Sequence, residues 1–324
     1  MEHIVDERGR IRRSPEALAS LLGHVDELLG PMVAGIALDE QDWSAGGGVH
    51  LAGTWQATGT PVLVKLGVNV NQLYWTRMVA QSAPDLMPLL YASGDWLGEL
   101  EMGWIVMERI PFGPLGPGWN GDEFVMLLDA AVHFQRAAGN IEAGHVATLD
   151  VDMLRSWLEV GIALDPPGPV DGVLERFEMD FDWVASVCGY EVCHGDVHMC
   201  NALSRTPPPL PSAAVLIDCQ PIIQPWAFDA AYPQVLNSID MSRVGYADLV
   251  PKMSRIRAGY GVPSVEGCDL ERLSVICLGW FAIRMWGVSP DRHSIADYRA
   301  ETQRYISESA ALRGLWVPDT KGRL

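Results

Sequence analysis

Basic residues are scarce in this chain: 23 lysines and arginines stand against 41 aspartates and glutamates in 324 residues, a formal net charge of −18. Such a surface repels nucleic acid and draws in small cations, so no nucleic-acid partner is expected. Long hydrophobic runs are missing too. The longest apolar stretch, Leu273 to Ile283, is stopped by Arg284 and falls short of the roughly 20 residues that a bilayer-spanning helix needs. It predicts a buried helix and no membrane partner. The opening MEHIVDERGRIRR carries charge without the apolar centre of a secretory signal, which leads to a cytoplasmic expectation. Six cysteines, at positions 188, 193, 200, 219, 268 and 277, lack the spacing of a stapled secreted domain, and reduced, buried thiols are expected. There is no internal repeat or low-complexity segment, and the closing TKGRL reads as a short polar tail. A hydrophobic content of 48% is enough for a large core, in one two-lobed unit or two domains that act as a monomer or weak dimer.

The chemistry concentrates in HGDVHMCN, His194 to Asn201, followed by the strand-like VLIDC that carries Asp218. Phosphoryl transfer asks a protein for an oxygen base that orients the attacking hydroxyl and for hard oxygen ligands that hold Mg²⁺ against the phosphates. Asp196, Asn201 and Asp218 offer those oxygens. An apolar strand from Ala213 to Ile217 would return Asp218 to the side of Asp196, after a reversal marked by Pro207, Pro208, Pro209 and Pro211. Two other readings stand beside this one. Asp and His are common turn formers, and Cys193, His194, His198 and Cys200 are zinc-ligand types, although no CxxC pair occurs among them.

HGDVHMCN resembles the HGDxHxxN catalytic loop of the aminoglycoside phosphotransferases and related small-molecule kinases. The resemblance implies that Asp196 accepts or orients the substrate hydroxyl, and that Asn201 and Asp218 bind Mg²⁺. ATP or GTP is then the phosphoryl donor. His194 and His198 are expected to support the loop without touching the reacting atoms. The downstream QPWAFDAAY is similar to the family segment in which an aspartate braces the loop, a role that falls to Asp229; a helix-capping Asp would look the same. The implied fold is α+β and protein-kinase-like. A nucleotide-binding lobe with an antiparallel sheet spans 1–108, and a mostly helical catalytic and substrate-binding lobe spans 109–324, with helices over Phe124 to Arg136 and Leu273 to Trp286.

A nucleotide cradle should lie upstream. Trp43 to Ala57 reads as a hairpin broken by SAGGGVH, in which Gly46, Gly47 and Gly48 allow backbone N–H groups to approach phosphate. PVLVKLG follows as a β-branched strand, and Lys65 on it is the candidate phosphate lysine. A glycine cluster is also an ordinary turn, and a strand lysine an ordinary edge residue. WIVMERIPF ends a strand and resembles the family's hinge. By that resemblance the backbone of Glu108 and Ile110 would meet the adenine edge, with Met107 packed behind it. One departure stands out: kinases orient the strand lysine with a glutamate from the first large helix, yet no acid occurs from Leu66 to Pro84. The helix predicted over Asn71 to Gln81 offers Gln72 and Gln81 instead.

The acceptor is addressed by charge alone. Asp150 to Asp182 holds nine acids against Arg155 and Arg176, just before the catalytic loop. Asp150, Asp152, Glu159 and Asp165 are the candidates for pairing with ammonium or guanidinium groups. The leading expectation is an antibiotic-resistance phosphotransferase acting on a cationic acceptor, an aminoglycoside or a capreomycin- or viomycin-type peptide. A kinase of choline, homoserine or fructosamine is the alternative, and a catalytically weak nucleotide-binding regulator is the second.

Overall fold

A computed structural model of the chain describes residues 4–5, 11–39, 48–115, 123–142, 146–164, 173–208, 213–238 and 248–288. The predicted site residues Gly46, Gly47 and Asp165 lie outside them, as do Pro209 and Pro211 of the expected reversal.

The first part of the chain builds a five-stranded antiparallel sheet in the order β1-β2-β3-β5-β4. Its strands are β1 (Val33–Leu38), β2 (Val49–Trp55), β3 (Thr60–Val68), β4 (Leu90–Gly94) and β5 (Gly103–Glu108). Helix α1 (Pro15–Leu29) begins at Ser14, whose hydroxyl accepts the Ala17 amide at 3.2 Å, with proline at the first helical position. It buries Ala17, Leu21, Val25 and Leu29, one stripe at helical spacing, into the core of this sheet. Strand periodicity then decides where the site falls. Val62, Val64 and Leu66 of β3 enter the core shared with α1, so Leu63 and Lys65 point to the opposite face. There Lys65 lies opposite His50 on β2 and Ile105 on β5. Helix α2 (Val70–Ser82) starts at Asn69, whose side chain accepts the Gln72 amide at 2.8 Å, and turns Gln72, Leu73 and Thr76 inward.

The remainder is mostly helical, from α3 (Glu123–Ala138), α4 (Val151–Leu164) and α5 (Val173–Cys188) to α6 (Phe228–Ser238), α7 (Leu249–Gly259) and α8 (Gly267–Val288). Short strands β6 (Ala147–Thr148), β7 (Glu191–Cys193) and β10 (Ile222–Gln224) form one small sheet, and β8 (Ala202–Leu203) and β9 (Val215–Leu216) another. The largest core unites α3, α4, α6 and α8 around Phe124, Phe134, Trp226, Phe228, Trp280 and Phe281. The apolar run that opened the question of a membrane span is the centre of α8, with Leu273, Cys277, Trp280 and Ile283 buried in this core. Among the described residues no helix is long and apolar enough to cross a membrane. The architecture is the α+β arrangement of antiparallel sheet and helical part that the resemblance implies.

Three local expectations change. The strand preceding β2 in the sheet is β1, which ends before Trp43, so the hairpin's first arm lies upstream of the glycine segment. The alanine and glycine of VAGIAL give that arm little β signal. The return strand expected over Ala213 to Ile217 is a two-residue ladder, because its partner β8 is equally short. Of the six cysteines, 188, 193, 219 and 277 are buried, but Cys200 and Cys268 are exposed.

The sheet and the helical part are joined by a guanidinium fork. Arg205, just after β8, donates to both carboxylate oxygens of Glu108 at the end of β5, and to the carbonyls of Asp85 and Met87 at 3.0 Å. The Glu108 carboxylate also accepts the Leu89 amide at 3.1 Å. Burial would raise the Glu108 carboxyl, but Arg205 and the Leu89 amide outweigh it and hold it below its ordinary value. Arg205→Ala is expected to cost about 1–3 kcal/mol in denaturant unfolding. Arg205→Lys should recover only part of this loss, because an ammonium cannot reproduce the planar fork.

Candidate active site

The catalytic-loop motif is a tight connection out of β7. Gly195 has φ 78°, and a Cβ there would lie 2.0 Å from the Gln220 carbonyl oxygen, so only glycine fits the second position of HGD. The turn is held from behind by Asp229 in the first turn of α6. One of its oxygens accepts the His194 amide at 3.1 Å and the other the Gly195 amide at 3.2 Å. The Gln135 side chain donates to Asp229 at 3.1 Å, and its own carbonyl accepts from Arg257 at 2.6 Å. Arg257 is 1% exposed, forks onto Glu191 and lies over the Trp226 ring. A buried chain of hydrogen bonds therefore runs from α7 through α3 and α6 to the loop. Burial pushes the Asp229 carboxyl up, to about 6, against the lowering effect of its N–H donors.

Asp196 is presented at the front of this turn with both oxygens engaged. Oδ1 accepts the Tyr232 hydroxyl at 2.5 Å, and Oδ2 accepts the Asn201 amide at 2.8 Å. The same Asn201 amide reaches the Asp196 carbonyl at 3.1 Å. His198 stands 3.7 Å from Oδ1, an ion-pair distance beyond normal hydrogen-bond length. Burial alone would raise the Asp196 carboxyl, but His198 and then the Tyr232 hydroxyl outweigh it and bring it to about 2. Burial would lower His198; its interactions with Asp196 and Cys200 win and lift it to about 9. Fully buried His194 goes the other way, to about 4, and is neutral near pH 7. Its ring packs edge-on to Phe134, and its Nδ1 faces the Asp196 amide at 3.4 Å.

Asp218 comes to the same place. The Asn201 carbonyl accepts the Ile217 amide at 3.0 Å, and the His194 carbonyl accepts the Gln220 amide at 2.9 Å, so the residues around Asp218 are tied to both ends of the loop. Asp218 itself adopts φ 57°, a left-handed conformation that costs a non-glycine residue roughly 1–2 kcal/mol. Its Oδ1 accepts Lys65 Nζ at 2.5 Å and Gln72 Nε2 at 3.4 Å. No acid of α2 meets Lys65; the α2 side chain that reaches the same carboxylate is Gln72, which is 5% exposed.

A metal ion fits this donor set in a restricted sense. The Asn201 amide nitrogen is used on Asp196, which leaves its carbonyl oxygen, with Oδ2 of Asp218, as hard donors at the cleft. Among the described residues no three or more His, Cys, Asp and Glu side chains are grouped to hold a metal by themselves. Such a pair suits Mg²⁺, which keeps several waters and completes its shell with phosphate oxygens. It does not suit zinc, which takes four protein ligands in structural sites.

These residues border one cleft of about 400 Å³, lined by Gly48, Lys65, Met107, Ile110, Asp196, Asn201 and Asp218 among others. His194 and Asp229 lie behind the loop, and His198 lines the cleft. At the hinge the Glu108 amide already donates to the Leu89 carbonyl at 2.8 Å, and the Arg109 amide to Pro61 at 3.3 Å. The Ile110 amide has no partner among the described residues, and Ile110 lines the cleft. Of the acidic candidates, Asp150 caps α4 by accepting the Met153 amide at 2.7 Å. Asp152 pairs with Arg155 at 2.6 Å, and Glu159 is exposed. At about 100° per residue, Asp152 and Glu159 sit about 140° and about 160° around α4 from Trp157. Trp157 is the α4 side chain that meets Arg284, whose guanidinium lies over the Trp157 and Tyr232 rings and donates to the Gly195 carbonyl at 3.3 Å. Sequence reasoning gave no role to Tyr232 or Arg284. Tyr232 lies inside QPWAFDAAY, one helical turn after Asp229, which was the available signal; Arg284 showed only as the charge that stops an apolar run.

The Asp196–His198 pair predicts a pH signature. The charge on His198 is stabilising below its unfolded pKa of about 6.5, and that contribution is lost as pH rises through about 9. The depressed Asp196 contribution is lost only in acid, as pH falls towards about 2. The melting temperature of the wild type should therefore exceed that of His198→Gln most between about pH 5 and 6.5, with the gap closing above about pH 9. A gap independent of pH would show that the contact is packing alone.

No family model matches the chain, and no curated protein matches it in sequence. Solved structures do match in fold. An aminoglycoside phosphotransferase from Alicyclobacillus acidocaldarius superposes with a TM-score of 0.55 at 14% identity, covering 95% of this chain and 98% of that one. A thermostable mutant of aminoglycoside phosphotransferase APH(4)-Ia, in ternary complex with AMP-PNP and hygromycin B, gives 0.54 at 12% identity over 89% of this chain and 98% of that one. A choline/ethanolamine kinase family protein from Mesorhizobium loti gives 0.52 at 12% identity over 91% and 93%. The chain has the protein-kinase-like fold that these small-molecule kinases share.

Proposed function

We propose that the protein is a small-molecule kinase that transfers the γ-phosphoryl group of ATP or GTP to an acceptor hydroxyl. The observation that carries this reading is the convergence of Asp196, Asn201, Asp218 and Lys65 on one cleft that Ile110 also lines. The base lies against the hinge and Met107, the phosphates against Gly48 and Lys65, and the acceptor hydroxyl on Asp196. Asn201 and Asp218 would hold Mg²⁺, which when bound would neutralise charge on the phosphate oxygens.

A carboxyl near pKa 2 is a weak base, and the reaction suits it. The transition state of phosphoryl transfer is loose, so the hydroxyl needs orientation more than early deprotonation. Asp196 accepts the O–H, aims the oxygen in line with the leaving nucleoside diphosphate, and takes the proton as the new P–O bond forms. Tyr232 and Asn201 fix the carboxylate plane from two sides, which limits the positions from which a hydroxyl can approach.

The acceptor is a hydroxyl-bearing small molecule. The acidic stretch before the catalytic loop supports a cationic antibiotic, as does the fold shared with a protein that binds hygromycin B. A specific observation favours the metabolite reading: His198 stands 3.7 Å from Asp196, and of the acidic candidates Asp150, Asp152 and Glu159 none lines the cleft. Mass spectrometry of reactions with Mg²⁺, ATP or GTP and a panel of aminoglycosides, cationic peptides, amino alcohols and hydroxy acids separates the two. A phosphate adduct is expected on one class, with Asp196→Ala reducing turnover on the order of 10²-fold or more. Nucleotide binding without any adduct would favour the regulator.

A further inference from the structure

Lys65 and Asp218 have separate duties in the proposed reaction, one on phosphate and one on metal, yet in the nucleotide-free protein they hold each other at 2.5 Å. The side chain on α2 that reaches the same carboxylate oxygen is Gln72, buried and neutral, with its amide at 3.4 Å. No acid lies between Leu66 and Pro84, so α2 offers the lysine no anion of its own. Among the described residues Asp218 is the carboxylate partner of Lys65.

We infer that Gln72 is a positioning residue that couples metal entry to nucleotide entry. Because an amide cannot balance the lysine's charge, Lys65 stays on Oδ1 of Asp218 and, by cancelling the charge of that carboxylate, weakens its hold on a cation at Oδ2. Incoming phosphate draws the ammonium away, and a divalent ion then takes the carboxylate that it vacates. A glutamate at the same place would hold Lys65 independently of Asp218 and leave Asp218 open to cations at all times. The exchange conserves charge. Lysine moves from carboxylate to phosphate, the cation arrives with the nucleotide, and the Gln72 amide remains a donor to Asp218 Oδ1 throughout, so the carboxylate keeps one orientation. Gln72 is itself fixed, since its backbone amide is bound by Asn69 at the start of α2 and its side chain is packed beside Thr76 on the inner face.

The inference rests on the phosphotransferase reading, and a metal-binding measurement on the nucleotide-free protein tests it without turnover. Mn²⁺ is titrated calorimetrically into the wild type, Lys65→Met, Gln72→Glu and Gln72→Leu, with and without ADP, after melting curves confirm folding. Wild type is expected to bind Mn²⁺ weakly alone and far more tightly with ADP. Lys65→Met and Gln72→Glu should each bind Mn²⁺ on the order of tenfold more tightly without nucleotide, and Asp218→Asn added to either should abolish that gain. Gln72→Leu, which is neutral but lacks the amide donor to Asp218, should keep the weak nucleotide-free Mn²⁺ binding of the wild type and lose part of the gain that ADP brings. The variants also part on nucleotide: Lys65→Met weakens ADP binding, which a purely structural lysine would not do. The inference is overturned if wild type binds Mn²⁺ equally well with and without ADP, or if Gln72→Leu gains as much affinity as Gln72→Glu. If the wild type takes no ADP even with Mn²⁺ present, the phosphotransferase reading fails, and the Mn²⁺ affinities of the nucleotide-free variants still show whether the lysine guards Asp218.

Discussion

One buried carboxylate sets the position of everything at the cleft. Asp229 is 1% exposed, and an ion at that depth is stable only if its lone pairs are filled. They are filled by the His194 and Gly195 amides and by the side chains of Gln135 and Gln224. The two backbone donors belong to the turn that carries Asp196. The desolvation that lifts the Asp229 carboxyl to about 6 is thereby offset by the same contacts that fix the loop. Gln135 extends the constraint to Arg257, so α7 shares through α3 in holding the turn. Partial satisfaction of such a network would be worse than none, which is why its members sit in the core and not at the rim.

The acids around the loop meet three different fates, and partner chemistry separates them. Asp229 is held by neutral N–H donors and is raised. Asp196 has a cation and a phenol and is lowered to about 2. Asp218 has an ammonium at 2.5 Å. Three carboxylates so near to one another would repel if all were bare. One is shielded by backbone dipoles, one by imidazolium and one by lysine, and the site stays close to balanced inside a chain whose formal charge is −18.

Much of this was legible because it is local. HGDVHMCN and LIDC announce three oxygens at short range, and β-branched PVLVKLG fixes by alternation that Lys65 leaves the face on which Val62, Val64 and Leu66 are buried. Periodicity located α3 to within two residues at either end, and the later part of α8, which begins six residues before the expected Leu273. What stayed out of reach depends on residues far apart in sequence. Arg205 with Glu108, Arg257 with Gln135, and Arg284 with the Gly195 carbonyl are pairs with no spacing to read. The absence of an acid on α2 was visible, but not its consequence. Only three-dimensional placement shows that Gln72 points at Asp218 and that Lys65 turns to the same carboxylate instead.

Net charge was the least informative quantity for the same reason. Nine acids between Asp150 and Asp182 form a dense run in sequence, but a helix distributes a run around its circumference. Asp150 is drawn into capping, Asp152 into a pair with Arg155, and the side of α4 that meets Arg284 presents Trp157. Electrostatic selection of an acceptor depends on the few charges that share its desolvated space, where attraction is strong, and little on the many that are screened at the surface. His198 stands 3.7 Å from Asp196, and the cleft they border is also lined by Lys65, Arg109, Asp39, Glu108 and Asp218, whereas Asp150, Asp152 and Glu159 do not line it. A molecule in that cleft would be exposed to this mixed set of charges at close range, and the acidity of the chain as a whole would reach it only through solvent.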